Sequence, residues 1–181
     1  MITYKNISKK METALNEQLT TEAVQAQNYL SYASWAEVNG YQGFSKFLYK
    51  HSVEERNHMY KILRYINDRG GRAKIETIAA PAEDPKDIKA CIEAVMKHEM
   101  DNTAAINKLV SLAQSEGDWA SYNFLQWFVK EQIEEEALIK KLVDGYNIIE
   151  QSKKSGLDLV TFDLETGTMG QDATIPREKH L

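Results

Sequence analysis

Four stretches of this chain repeat apolar residues at steps of three and four, and each stripe is interrupted near its middle by a carboxylate. The first runs through Leu15, Leu19, Glu22, Ala26, Tyr29, Ala33 and Ala36. The second puts Phe44, Leu48, His51, Glu55, His58, Ile62 and Tyr65 on one face. The third is Ile88, Ile92, Val95, Glu99, Asn102, Ile106, Leu109 and Ala113. The fourth is Leu125, Phe128, Gln132, Glu135, Ile139, Leu142, Tyr146 and Ile149. Such spacing belongs to helices that bury one face, so the chain reads as an all-α bundle of four long helices.

The residues between the stripes set the order of the helices. Asn6 or Ser8 can cap the first helix. The turn through Gly40 and Gly43 is short, which makes the first two helices antiparallel neighbours. Gly70-Gly71 ends the second helix. Residues 72–84 lack a helical period and contain Pro81. Thirteen extended residues reach up to roughly 45 Å, while a helix of about 26 residues is roughly 39 Å long. One long crossover can therefore span the bundle and make helices two and three parallel. Asp84 as N-cap, Pro85 at the first helical position and Asp87 in the first turn mark the expected start of helix three.

Glu116-Gly117-Asp118 closes helix three, and Asp118 caps helix four, which extends to about Glu150. Gly145 weakens its last turns by up to about 1 kcal/mol and is given no function. Leu157 to Leu164 forms a short amphipathic fifth helix. Residues 1–165 then form one domain, and 166–181 a polar, extended tail.

The net charge of −5 argues against nucleic acid or an anionic membrane as partner. No apolar run approaches the ~20 residues that span a bilayer. Met1 to Lys10 has no apolar segment of the kind that directs secretion. Cys91 is the single cysteine, which rules out an internal disulfide, a Cys-x-x-Cys metal site and an iron–sulfur cluster. It reads as a small buried apolar residue, and a reduced, cytoplasmic setting is expected.

The chemistry lies in the interruptions. Burying an ionised carboxylate without a partner costs several kcal/mol. Glu55 and His58 are three residues apart and share one helical face. A single Glu in a stripe is more often a misassigned face or a salt-bridged residue, but the four stripes contain no Lys or Arg, and Arg56 and Lys130 fall off them. Clustered carboxylates repel one another and are driven to protonate. Two divalent cations would neutralise Glu22, Glu55, Glu99 and Glu135. Oxygen donors with one imidazole suit iron or manganese, whereas structural zinc prefers thiolate and imidazole. A carboxylate-rich metal pair at mid-bundle is the arrangement of ferritin-like di-iron proteins. There each of two helices carries Glu-x-x-His; here the fourth helix has Gln132-x-x-Glu135 instead.

Over about residues 5–165 the chain resembles the non-haem bacterial ferritins. The resemblance is carried by Asn16-Glu17-Gln18-Leu19 leading to Glu22, by Tyr29 and Trp35, by Glu54-Glu55 with His58-Met59, and by Glu99. It continues in Asn123-Phe124-Leu125-Gln126-Trp127, Glu131-Gln132 and Glu134-Glu135-Glu136. It implies a ferritin-like four-helix bundle assembled into a hollow homo-oligomeric shell of about 24 subunits. It also implies ferroxidase activity: oxidation of Fe(II) by dioxygen or peroxide, then storage as ferric mineral, with no haem. A haem-containing bacterioferritin would show Glu-x-x-His on helix four, and a rubrerythrin-type peroxidase would carry a cysteine-rich iron domain.

Carried over from the resemblance, a first iron site is Glu22, Glu55 and His58. A second is Glu55, Glu99 and Glu135, with Glu55 bridging. Gln132 becomes a hydrogen-bond partner of these ligands or of water. A third iron site takes Glu54, Glu131, Glu134 and Glu135. Tyr29 is placed to hydrogen-bond a ligand and to lose an electron. By its own spacing, four residues before Glu131, Trp127 lies near the third site, and a packing role fits it equally well. His51 and His98 are expected to be structural or exposed.

Overall fold

The computed structural model describes residues 5–81, 83–152 and 156–170. Its helices are α1 (Lys9–Val38), α2 (Gln42–Asp68), α3 (Ile88–Ser115), α4 (Trp119–Ser152) and α5 (Gly156–Thr166). Of the two candidate caps for α1, Ser8 is the one used: its Oγ accepts from the Met11 N–H at 2.9 Å. The residues of the first and third stripes are all buried.

The long helices α1, α2 and α3 end in the same way. At α2, Gly70 N–H donates to Asn67 O and Gly71 N–H to Ile66 O, both at 3.0 Å. This Schellman closure needs a left-handed residue, and Gly70 supplies it with φ of 75°. Gly40 and Gly117 do the same for α1 and α3. Asp118 then starts α4 by accepting from the Ser121 N–H at 3.1 Å, and the Arg69 guanidinium meets the same carboxylate oxygen at 3.0 Å.

Helix three begins later than its sequence suggests. Asp84 and Pro85 precede it, and the N-cap is Asp87, whose backbone is extended and whose carboxylate accepts from the Ala90 N–H at 2.8 Å. Two aspartates competed for one cap. The one whose side chain reaches a free N–H of the first turn wins, because that bond satisfies a donor the helix cannot.

Two apolar clusters fix the topology. One joins Ala33 and Ala36 near the end of α1, Phe44 and Leu48 near the start of α2, Ile88 and Ile92 at the start of α3, and Ile139 and Leu142 of α4. The other joins Met11 and Leu15, Ile62 and Ile66, Ile106 and Leu109, and Leu125 and Phe128. The starts of α2 and α3 therefore share one end of the bundle. These helices are parallel, and the segment between them traverses its length.

Helix five closes the first end. Phe162 is buried in that cluster, and a Cβ at Gly145 would come within 3.0 Å of its ring. Gly145 thus makes room for α5, a role its sequence position did not reveal. The Asp163 carboxylate accepts from the Gly43 and Phe44 N–H groups at 2.9 and 2.8 Å. Helix two has no side-chain cap of its own at Tyr41, so α5 provides one from 120 residues away. The expected tail over 166–181 is described only to Gly170, and its remainder lies outside the described residues. No described helix is long and apolar enough to cross a membrane.

Candidate metal centre

Between the two apolar clusters lies a layer of buried polar side chains. Gln18, Glu22 and Gln25 come from α1, and His51, Glu55 and His58 from α2. Glu99 and Asn102 come from α3, and Gln132 and Glu135 from α4. The layer exists because each stripe carries its polar residues at mid-helix and the helices pack with their centres at one height.

Glu22, Glu55 and His58 each offer a ligand atom, and these atoms lie within 4.8 Å of one another. His58 Nδ1 is 3.6 Å from Glu22 Oε2 and 3.6 Å from Glu55 Oε2. The other oxygen of Glu22 accepts from Gln18 Nε2 at 2.6 Å, and that amide also donates to Asn102 Oδ1 at 2.6 Å. Gln18 therefore holds Glu22 so that Oε2 faces the cluster. Gln18 lies one turn before Glu22, and that spacing was the available sequence signal for it.

Glu99 is placed differently. Its Oε1 accepts from the Tyr29 hydroxyl and its Oε2 from Gln132 Nε2 at 3.2 Å. Among the described residues, Glu99 belongs to no group of three ligand atoms within 4.8 Å. The structure thus gathers Glu22, Glu55 and His58, and holds Glu99 on Tyr29 and Gln132.

A second face of the layer leads outward. His51, Glu54 and Glu135 form one group of converging ligand atoms, and Glu54, His58 and Glu131 another. A cleft of about 300 Å³ opens over them, lined by Glu54, Glu131, Glu134, Glu135 and Lys141. Glu134 is exposed and pairs with Lys130 at 3.5 Å. His51 is 1% exposed, so of the two readings, structural or exposed, it is not the exposed one; it lies one turn before Glu55 on the same face and is turned inward with it. His98 is partly buried, its ring edge-on to Tyr29 and stacked on Tyr32. Trp127 packs edge-on against His58 and receives the Lys61 ammonium 3.9 Å over its ring.

The electrostatics follow from crowding acids where water is excluded. Burial, then the charge of Glu22, holds the Glu55 carboxyl well above the ordinary range. Burial would raise Glu22 too, but His58, Glu55 and Gln18 outweigh it and keep this carboxyl low. Burial opposes charge on His58, yet Glu22 and Glu55 raise its imidazole well above the usual histidine value. Burial and the charge of Glu135 push Glu99 up to about 7. Burial, aided by Glu99, raises the Tyr29 hydroxyl. Burial and Glu135 raise Glu54, and burial with Glu135 and Glu134 raises Glu131 although His58 opposes it.

The donor set fits divalent cations. Glu22 Oε2, Glu55 Oε2, His58 Nδ1, His51 Nε2 and Glu135 Oε2 are buried with no hydrogen bond among the described residues. Buried polar atoms are normally satisfied, and a carboxylate oxygen facing an imidazole nitrogen needs a positive centre between them.

A bundle with a long crossover and a buried carboxylate–histidine layer at mid-height is a ferritin-like fold. The family model for the ferritin-like domain matches residues 12–149. A probable bacterial non-heme ferritin-like protein of Haemophilus influenzae is 39% identical over 158 residues, covering 87% of this chain and 95% of that protein. The bacterial non-heme ferritin of Campylobacter jejuni is 36% identical over 143 residues, covering 79% of this chain and 86% of that one. Among solved structures, the open-pore ferritin of Archaeoglobus fulgidus superposes with a TM-score of 0.86 at 36% identity, covering 91% of this chain and 99% of that one. The chain belongs to the ferritin family.

Proposed function

We propose that this protein stores iron, oxidising Fe(II) at a paired site in mid-bundle and depositing ferric mineral inside a hollow homo-oligomeric shell of about 24 subunits. The observation that carries this reading is the convergence of Glu22 Oε2, Glu55 Oε2 and His58 Nδ1, buried and without hydrogen bonds. The bacterial non-heme ferritin relatives agree with it.

In this reading Glu22, Glu55 and His58 bind the first Fe(II). Glu55, Glu99 and Glu135 bind the second, with Glu55 shared. Glu99 then turns an oxygen from Gln132 toward the ion while Tyr29 keeps its hydrogen bond to the other. Gln132 keeps an amide available for a ligand oxygen or water. Each Fe(II) gives one electron, and dioxygen takes both with two protons and leaves as hydrogen peroxide, which can itself serve as oxidant. Carboxylates are hard anionic ligands that favour Fe(III) over Fe(II), so the site drives the oxidation. Glu54, Glu131, Glu134 and Glu135 form a third iron site along the cleft, through which ions reach or leave the pair.

Anaerobic Fe(II) titration followed by oxygen exposure tests the reading. Saturable binding before oxygen, then fast oxidation and growth of an iron core in an assembled shell, is the expected result. Fe(II) oxidation no faster than in buffer would sink it.

A further inference from the structure

The mid-bundle layer contains a histidine that neither the paired site nor the four-carboxylate third site uses. His51 Nδ1 lies 2.9 Å from Phe47 O. A carbonyl oxygen can only accept, so Nδ1 carries a hydrogen, and the lone pair of the neutral ring is on Nε2. That lone pair faces Glu135 Oε2 at 3.3 Å, and neither atom has a hydrogen bond among the described residues. Glu54 adds a third ligand atom to the same group.

Two acceptors facing each other need a positive centre. A cation held at about 2.0–2.1 Å by nitrogen and oxygen ligands sets them roughly 3.0–3.4 Å apart along a polyhedron edge. The 3.3 Å between His51 Nε2 and Glu135 Oε2 leaves both atoms able to reach one such ion. An imidazole whose other nitrogen donates to a backbone carbonyl is also the usual arrangement of a metal-bound histidine. The ring is held in place: Phe47 packs on it with centroids 4.0 Å apart, Tyr29 lies 5.8 Å away, and a Cβ on Gly170 would touch its Cε1 at 3.5 Å.

We propose that His51 Nε2, with Glu54 and Glu135, ligates a divalent cation at the inner end of the cleft, making the third site a mixed nitrogen–oxygen site. Glu54 then stands between this ion and the Glu131 side of the cleft, and Glu135 between it and the paired site. The proposal rests on the ferritin reading, which places metal in this layer.

Zn(II) is the probe, because it binds without redox chemistry. The assembled protein is titrated with Zn(II) by calorimetry, and its crystals, loaded with Zn(II), are read by anomalous scattering. The expected result is a peak about 2.0–2.1 Å from His51 Nε2, besides one at Glu22, Glu55 and His58. His51→Asn keeps an amide N–H for Phe47 O but lacks the Nε2 ligand; it should weaken one Zn(II) per subunit at least tenfold and leave the Glu22–Glu55–His58 ion unchanged. His51→Gln, which reaches toward Glu135 with a weaker ligand, should fall between. Zn(II) at Glu22, Glu55 and His58 with none at His51, or unchanged affinities in His51→Asn, overturns this proposal alone. No Zn(II) at either place overturns the ferritin reading with it.

Discussion

The Tyr29 hydroxyl of α1 donates to Glu99 Oε1 of α3, tying two helices together at the level of the buried carboxylates. Gln132 of α4 holds the other oxygen of the same group. If Glu99 joins the second iron, Tyr29 fixes it while Gln132 yields. Tyr29→Phe should then slow initial Fe(II) oxidation roughly five- to tenfold, equivalent to about 1–1.4 kcal/mol, with the number of Fe(II) bound anaerobically unchanged. Stopped-flow absorbance and the anaerobic titration together check this. An unchanged rate would remove Tyr29 from the mechanism.

The proposed paired site should depend most on Glu55 and His58. The double substitution Glu55→Ala with His58→Ala should abolish fast oxidation while the shell still assembles, since it removes a buried carboxyl crowded against Glu22 together with its imidazole partner. Size-exclusion chromatography and oxygen uptake measure the two halves. Equal initial uptake in wild type and variant would refute the assignment.

Glu131 lines the cleft, and its carboxylate converges with Glu54 and His58. Glu131→Ala should change the ratio of Fe(II) oxidised to dioxygen consumed more than it changes the initial rate. An oxygen electrode with known iron additions reads both, and a constant ratio counts against a third site.

Without metal, the layer should be sensitive to alkali. The Glu99 carboxyl sits at about 7 in the folded chain, above its ordinary 4.5. The folded state therefore binds this proton more tightly, and the stability it contributes is full below pH 4.5 and lost as pH rises through about 7. His58, also raised, acts in the same direction. Glu22, held low, acts oppositely, but only in acid. The Tm of metal-free protein should fall between about pH 5 and pH 8, and Glu99→Gln should flatten that fall by up to about 3 kcal/mol. Differential scanning calorimetry at the two pH values decides it; parallel curves for wild type and variant would refute the coupling.

Helix five is anchored through Gly43 and Asp163. Asp163→Ala would strand two N–H groups at the start of α2, roughly 1–3 kcal/mol for each buried group left unsatisfied. Gly43→Ala should cost more, because its Cβ would stand 1.7 Å from Asp163 O, a backbone atom that cannot swing away. Thermal denaturation of both variants, loaded with the same metal, checks the ranking.

Much of this was legible in the residues themselves. The stripes predict four long helices, and every polar residue named in the first and third is buried. The glycines after α1, α2 and α3 mark their ends, since a left-handed residue is a local requirement. The start of α3 was less legible, because Asp84 and Asp87 are both adequate caps and their selection depends on where the chain leaves the crossover. Asp163 could not be read as a cap for α2, since nothing local links residues 120 apart. Gly145 reads in isolation as a weak point in α4, and only the packing of Phe162 against it gives the missing side chain a purpose.

Within the buried polar layer, the sequence determined which residues share the buried height, because a period of 3.6 residues assigns each side chain to a face. It determined the excess of acid over base there. Only the tertiary structure decided how the individual atoms pair. It set Glu99 on Tyr29 and Gln132, oriented Glu22 through Gln18, and turned His51 inward onto Glu135. The reason is that helical periodicity fixes a direction around one axis, whereas an ångström-scale contact between side chains of different helices depends on the packing of all four.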